Sequence, residues 1–231
     1  MTARTRGRRM GPAALVVLAI VVALSLWVAA RGQNADAQGA PSESWAGGSD
    51  LTSAVLALPA AGGSVAGYER DAFGDGWKDP DRNGCDARND ILARDLTSVT
   101  FRPGTHDCVV TSGVLRDPYT ATVIDFVRGD STSELVQIDH VVPLSWAWNH
   151  GAAVWDDATR ELFANDPVNL LAVDGPTNSS KSDSGPAEWM PPDPSYHCAY
   201  ASRFTEVLTE YRLGIDDADR ASLLDIAAAC A

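Results

Sequence analysis

Stretches rich in β-branched and aromatic residues, separated by polar turn residues, occupy the middle of this chain and predict β-strands there. Asp117-Pro118 marks one of the turns between them. A later run is apolar apart from Asn169, which is typical of a short buried strand. The predicted strands cover residues 98–101, 108–115, 120–126, 135–138 and 168–173.

Helical spacing of apolar residues predicts helices on both sides of these strands. In the first, Ile91, Leu92 and Leu96 fall on one side. Gly175-Pro176 ends the last strand and opens another helix, because proline is tolerated in the first turn. The predicted helices cover residues 88–96, a tryptophan-rich stretch after Pro143, 156–164, a stretch from about 175 to 181, 196–211 and 217–229. No internal repeat is present, and the order of elements indicates an α+β domain.

The first 37 residues have the composition of an export signal. A basic stretch runs into an apolar segment from about residue 13 to residue 30, and Ala35-Asp36-Ala37 has the small-x-small pattern of a cleavage site. The apolar segment approaches the length of a membrane span, so the alternative to a cleaved signal peptide is an N-terminal membrane anchor. We expect a secreted protein, or a cell-surface protein if the segment is retained.

A polar, Gly- and Ser-rich stretch follows this signal. Residues 38–62 are predicted to form a flexible leader with a short helix at residues 51–61, which stops at Gly62-Gly63. Residues 63–231 are then predicted to form one compact domain with a single core.

The chain is acidic. Its net charge of −13 becomes −17 when residues 1–37, with five arginines and one aspartate, are removed. A protein that binds long nucleic acids through a broad basic surface shows the opposite balance. Any contact with nucleic acid is therefore expected to be local.

Four cysteines lie in the exported part of the chain, which favours two disulfides in an oxidising compartment. None of them forms a CxxC pair, which argues against a structural zinc site of that type. Of the three pairings that four cysteines allow, we favour Cys85 with Cys108 and Cys198 with Cys230, because each would join neighbouring elements.

An acid and an imidazole stand side by side at a predicted strand end, in Asp139-His140, and Pro143 follows them. Neighbouring side chains on a strand point to opposite faces, which predicts different roles for the two. Asp139 is a hard oxygen ligand suited to Mg²⁺, and His140 can take a proton from water. Taken alone, such a pair is more often a turn cap beside a surface histidine.

Two amides and an ammonium follow about thirty residues later, around a predicted strand-to-helix turn. Asn178 can supply a neutral oxygen ligand, and Lys181 lies three residues further on the same helical face, where it could meet a substrate phosphate. Asn169 sits in an apolar run and is expected to be a buried, hydrogen-bonded amide. Asn178 could instead cap a helix.

These residues, in this order and spacing, resemble the HNH (ββα-metal) nuclease superfamily. Within it the chain looks like secreted bacterial proteins of the DUF1524 group, which are related to the C-terminal nuclease part of GmrSD restriction enzymes. The resemblance runs from about Tyr68 to Cys230, and its recognisable blocks are residues 85–89, 117–120, 137–143 and 163–171.

The resemblance implies an HNH ββα-metal core, a hairpin plus a helix, embedded in a small disulfide-stapled domain. One divalent cation would be held by Asp139 and Asn178, His140 would be the general base, and Asn169 would brace the loop that orients it. The last motif position is Asn where many members have His, which favours Mg²⁺ or Mn²⁺ over softer metals. Arg88, near Cys85, could hold a phosphate oxygen or could pair with acids on its own helix.

The sequence therefore predicts an exported, metal-dependent endonuclease that cleaves DNA or RNA with little sequence preference and without an obligate protein partner. Two other functions stay open. One is a cell-surface binding protein that keeps the fold without efficient catalysis, and the other is a hydrolase of a different phosphodiester.

Overall fold

The computed structural model describes residues 48–129 and 132–230. The predicted export segment, residues 1–37, and the first part of the predicted leader lie outside the described residues. In chain order the helices and strands are α1 (Gly48–Ala57), α2 (Ala87–Asp95), β1 (Leu96–Phe101), β2 (Val110–Arg116), β3 (Val123–Val127), β4 (Val136–His140), α3 (Leu144–Asn149), α4 (Asp157–Asn165), β5 (Leu170–Asp174), α5 (Gly175–Lys181), α6 (His197–Tyr211) and α7 (Asp217–Ala229).

The α+β class predicted from the sequence is confirmed, and the helices and strands lie within a few residues of their predicted positions. Several helices begin where a side chain accepts a hydrogen bond from a backbone N–H of the first turn. Asp86 does this for α2, Asp156 for α4 and Asp216 for α7. Aspartate is a preferred residue at this position, because it satisfies one of the free N–H groups at a helix start.

The first helix differs from its prediction. Residues 51–61 were expected to be helical, but α1 begins at Gly48 and ends at Ala57. Leu58 precedes Pro59, and the residue before a proline is disfavoured in the helical conformation. Leu51 and Val55 of α1 are buried in the main core, so the helix is packed with the domain that was expected to start at residue 63.

The strands form two antiparallel sheets. The first has the order β1-β2-β3, and the second consists of β4 and β5. In the second sheet Asp139 pairs with Leu171, and His140 pairs with Leu170. Together with α5, which follows β5 directly, this pair of strands forms a ββα unit.

The hairpin of β4 and β5 lies between two apolar cores. Leu171 and Val173 face a core built mainly from α1, α3, α4, α6 and α7. Leu170 and Ala172 face a second core, built from α2 and the first sheet. Because successive side chains of a strand point to opposite faces, the continuous apolar run of β5 supplies both cores.

Both predicted disulfides are confirmed. Cys85 bonds Cys108 and joins the chain before α2 to the chain before β2. Cys198 bonds Cys230 and joins the start of α6 to the end of α7. Among the described residues, no helix is long and apolar enough to cross a membrane.

Candidate active site

A cavity of about 420 Å³ opens along β4. Four consecutive residues of that strand line it, and consecutive side chains point to alternating faces. The cavity must therefore follow the backbone edge of β4 that β5 leaves unpaired. The lining residues are Tyr68, Arg70, Gln137, Ile138, Asp139, His140, Pro143, Leu144, Ser145, Asn178, Ser182 and Asp183.

His140 is held in one tautomer at this edge. Its Nε2 lies 2.8 Å from the carbonyl oxygen of Ala164. A carbonyl can only accept, so Nε2 carries the hydrogen and the lone pair of the neutral ring is on Nδ1. The ring of Trp77 stacks on the imidazole, with 5.9 Å between centroids and 13° between planes. Ring plane and tautomer are thus both fixed.

The charge state of His140 follows from its burial. Only 9% of the residue is exposed. Burial, helped by the nearby cations Arg70 and Lys181, lowers the pKa of His140 to about 4, against the hydrogen bond to Ala164, which raises it. The imidazole is therefore neutral near pH 7 and can accept a proton at Nδ1.

Asn169 holds the chain that leaves β4. Its Oδ1 accepts from the backbone N–H of Val142 at 2.8 Å, and its Nδ2 donates to the carbonyl of Val142 at 3.1 Å. Its own carbonyl accepts from the N–H of Val141. Asn169 is fully buried and does not line the cavity, so it positions the turn after His140 without touching a substrate.

Asp139 points to the opposite side of the hairpin from His140. Its Oδ1 accepts from Nζ of Lys181 at 2.9 Å, and its Oδ2 accepts from the hydroxyl of Tyr119 at 2.5 Å. Burial raises the pKa of Asp139 more than Lys181 and Tyr119 lower it, and burial also lowers the pKa of Lys181. The two charges are stable in this buried position because they compensate each other.

Lys181 is not where the sequence placed it. It was expected to meet a substrate phosphate, but the residue is fully buried, and its ammonium donates to Asp139 and to the carbonyl oxygen of His140. The three-residue spacing from Asn178 does put both on α5, as expected. However, Asn178 faces the cavity while Lys181 faces the core beneath it.

Asn178 presents a free oxygen to the cavity. Its Nδ2 donates to Oε1 of Gln137 at 2.8 Å, which orients the amide, and no described residue donates to its Oδ1. The close approach of α5 to β4 depends on Gly175, because a Cβ there would lie 2.0 Å from the carbonyl oxygen of Glu134. Gly175 thus allows the helix to bring Asn178 to the strand.

Arg88 is not brought to the cavity. Its guanidinium lies 3.4 Å from the carbonyl oxygen of Val136, at the far end of β4, and is partly buried beside Arg128. Burial lowers the pKa of Arg88, and the charge of Arg128 adds to this effect. Among the described residues its guanidinium forms no salt bridge with an acid of its own helix, although the charge of Asp86 raises the pKa of Arg88.

Arg70 is the functional candidate that the sequence did not reveal. It lines the cavity and is exposed. Its side chain interacts with Tyr68, and its charge lowers the pKa of His140. It lies in a short 3-10 turn, far from the motif residues in the chain, so no spacing pattern could connect it to them. Tyr119 was noted only as part of a motif block, and its bond to Asp139 gives that block a physical role.

The donor atoms at this site fit a hard divalent cation. Asn178 offers an amide oxygen without a donor, and each carboxylate oxygen of Asp139 keeps one lone pair beyond the hydrogen bond it accepts. Carboxylate and amide oxygens are ligands suited to Mg²⁺ and Mn²⁺. A cation held there would share the carboxylate of Asp139 with the ammonium of Lys181.

Comparison with known proteins agrees with this geometry. The sequence model of the family described as "GmrSD restriction endonucleases, C-terminal domain" matches residues 86–226, which contain Asp139, His140, Asn169 and Asn178. A protein of Arthroderma benhamiae, described as an uncharacterized secreted protein, is 38% identical over 170 residues, which are 73% of this chain and 78% of the relative. No solved structure matches the chain. Since the family match spans more than half of the residues and includes Asp139, His140, Asn169 and Asn178, the chain belongs to the family of GmrSD restriction endonuclease C-terminal domains.

Proposed function

We propose that this protein is an exported, metal-dependent endonuclease that hydrolyses phosphodiester bonds of DNA, and also of RNA, with little sequence preference. The observation that carries the proposal is the fixed tautomer of His140, a neutral base that lines the cavity along β4 and whose Nδ1 is free to accept a proton. The membership of a restriction-endonuclease domain family supports phosphodiester cleavage as the reaction class.

In the proposed reaction, Nδ1 of His140 takes a proton from water as the water oxygen bonds to phosphorus and the bond from phosphorus to the 3′ oxygen breaks. Asp139 and Asn178 would hold a Mg²⁺ or Mn²⁺ ion. When bound, this ion polarises a phosphoryl oxygen and stabilises the departing 3′ oxygen. Arg70 is the cation available to a phosphate oxygen, in place of Lys181 and Arg88.

Other residues act on these groups rather than on the substrate. Asn169 fixes the turn after His140, and Trp77 and Ala164 fix its ring. Lys181 and Tyr119 hold the carboxylate of Asp139 in place. Preorganised groups of this kind do not have to be reoriented as charge develops in the reaction.

Export is supported by three observations that are independent of the site. The chain begins with the composition of a signal sequence, it contains two disulfides, and a relative is described as secreted. The net charge of −13 supports weak binding in which the metal ion joins enzyme and phosphate.

The proposal is tested by plasmid digestion with Mg²⁺, with Mn²⁺ and with EDTA. We expect metal-dependent nicking and linearisation that His140→Ala lowers by at least about 100-fold, the usual contribution of a general base. His197→Ala is the matched control, because Nε2 of His197 also bonds a backbone carbonyl, that of Pro191, but the ring does not line the cavity.

Three results would contradict the proposal. Cutting that survives His140→Ala would contradict the role of His140 as general base. Cutting in the presence of EDTA would contradict the requirement for a metal ion. If neither DNA nor RNA is cut while a small diester such as bis-p-nitrophenyl phosphate is hydrolysed in a His140-dependent manner, the enzyme acts on another phosphodiester.

A further inference from the structure

A second group of metal-ligand atoms lies outside the active-site cavity, where the end of α3 meets the start of α7. One nitrogen of His150 and one carboxylate oxygen each from Asp216 and Asp219 lie within 4.8 Å of one another. None of the three residues lines the cavity along β4. His150 comes from a different segment of the chain than Asp216 and Asp219, so the grouping is a product of the fold.

The imidazole of His150 is oriented toward the two carboxylates. Its Nδ1 donates to the carbonyl oxygen of Trp146 at 2.6 Å, which leaves the lone pair of the neutral ring on Nε2. The ring is stacked on that of Trp146, with centroids 3.5 Å apart and planes 3° from parallel. A histidine whose second nitrogen donates to a carbonyl is the usual arrangement of a metal-binding histidine, because it fixes both tautomer and ring direction.

Asp219 is equally well fixed. It is 4% exposed, its Oδ2 accepts from the indole N–H of Trp146 at 2.9 Å, and its Oδ1 accepts from the N–H of Ala187 at 2.8 Å. Each oxygen keeps a lone pair for a further donor or a cation. Gly185 is required for this packing, because a Cβ there would lie 2.3 Å from Oδ2 of Asp219.

Asp216 completes the group. Its Oδ1 caps α7 by accepting from the N–H of Asp219. Its Oδ2 lies 3.6 Å from Nε2 of His150, which is longer than a hydrogen bond. In neutral His150, a lone pair thus faces a carboxylate with no hydrogen between them. The separation is close to the about 3.3 Å between two ligands on a tetrahedral Zn²⁺ ion.

We propose that His150, Asp216 and Asp219 bind a divalent transition-metal ion of the Zn²⁺ class, with water completing its coordination. One imidazole with two carboxylates is a ligand set suited to Zn²⁺ and less suited to Mg²⁺ or Ca²⁺, which take oxygen ligands. The ion would fasten α7 to α3, the helix that follows the strand of His140. Its role is structural and does not depend on the proposed nuclease activity.

Two observations oppose a simple alternative in which the group is only an ion pair. A salt bridge between His150 and Asp216 would leave Asp219, also negative, buried beside it with only neutral donors. Moreover, three carboxylates at the start of α7, those of Asp216, Asp217 and Asp219, exceed the partial positive charge of about half a unit that a helix N-terminus carries. A divalent cation would balance the two that lie beside His150.

The test uses the purified protein, stripped with a chelator and then given Zn²⁺ alone. Tightly bound zinc is counted by atomic mass spectrometry after gel filtration, and thermal unfolding is followed with and without the metal. We expect the wild type to retain one zinc per chain at this site and its Tm to rise by about 5 °C or more with zinc in large excess over Kd.

Asp216→Asn is the main variant, since asparagine caps a helix as well as aspartate does but carries no charge. Asp156→Asn is its matched control, because Asp156 caps α4 in the same way but has no histidine partner. Asp216→Ser provides a second capping residue without a carboxylate. Asn178→Ala shows whether the counted zinc sits in the active-site cavity instead.

The proposal is supported if Asp216→Asn and Asp216→Ser lose the zinc equivalent and the rise in Tm while Asp156→Asn and Asn178→Ala keep both. It is overturned if either Asp216 variant keeps the zinc, if Asn178→Ala loses it, or if the wild type binds none. A nuclease assay is not part of this test, so a failure of the proposed function would not change its outcome.

Discussion

The buried pair of Lys181 and Asp139 shows how a single residue can differ from the role its spacing suggests. In the sequence, a lysine one turn after Asn178 is a cation near a phosphate. In the structure its ammonium lies in the core, against Asp139 and the carbonyl oxygen of His140. Spacing gives the face of a helix but not which part of that face is covered by other elements.

We predict that Lys181→Met lowers the free energy of unfolding by about 3–5 kcal/mol, because it leaves Asp139 as a buried charge without a partner. The double variant Lys181→Met with Asp139→Asn should recover part of this loss, since the remaining group is neutral. Urea unfolding measures both. Lys78→Met, which breaks the exposed pair with Asp75, is the control and should be close to wild type. Equal stability of the single and the double variant would show that the pair is not coupled.

Asn169→Ala should lower the free energy of unfolding by about 2–4 kcal/mol, since it leaves the buried N–H and carbonyl of Val142 without partners. Activity per folded molecule should fall as well, because the turn after His140 loses its brace. Denaturant unfolding and single-turnover cleavage separate the two effects. A variant that is destabilised but fully active when folded would show that the brace does not position His140.

Among the elements, α5 has the most demanding position, because its first residue lies against the chain before β4. Gly175→Ala should push the helix away from Glu134 and carry Asn178 with it. We expect a lower free energy of unfolding, by about 1–3 kcal/mol, and a higher metal concentration for half-maximal cleavage. Gly62→Ala is the control, since a Cβ there meets nothing within 4 Å. The same metal requirement in both variants would contradict this role of α5.

The elements were largely predictable from the sequence, since their apolar residues have helical spacing or occur in short strand-like runs. Helix α7 was predicted with its observed bounds, and β5 was predicted as a short buried strand. The pairing of β4 with β5 was different, because His140 pairs with Leu170, which lies 30 positions further along the chain. Only the resemblance to a known family predicted that hairpin, since local pattern carries no information about distant pairing.

The site was predictable to the same extent. Asp139, His140, Asn169 and Asn178 all come together, because each is tied to an element of the ββα unit. Arg70 was not predicted, since its place beside the cavity depends on how a short 3-10 turn packs across the domain. The burial of Lys181 depends on Tyr119 and the main core, which sequence spacing does not describe.

At the scale of the whole molecule, the disulfide between Cys198 and Cys230 closes the chain across α6 and α7. Replacing both cysteines by alanine should lower the free energy of unfolding by about 3–4 kcal/mol, because a bond that spans 32 residues restricts the unfolded chain. Cleavage at low temperature should change little, since neither cysteine lines the cavity. Thermal unfolding and plasmid digestion check the two parts, and a loss of cleavage in a fully folded variant would contradict the second.

The position of β4 and β5 between two cores has a practical consequence for measuring this protein. Neither core can come apart without releasing one face of the β4–β5 hairpin that carries His140. A partly unfolded molecule with a working site is therefore not expected. After heating or storage, the cleavage rate that remains should equal the fraction of molecules still folded, so that a digestion assay counts intact molecules.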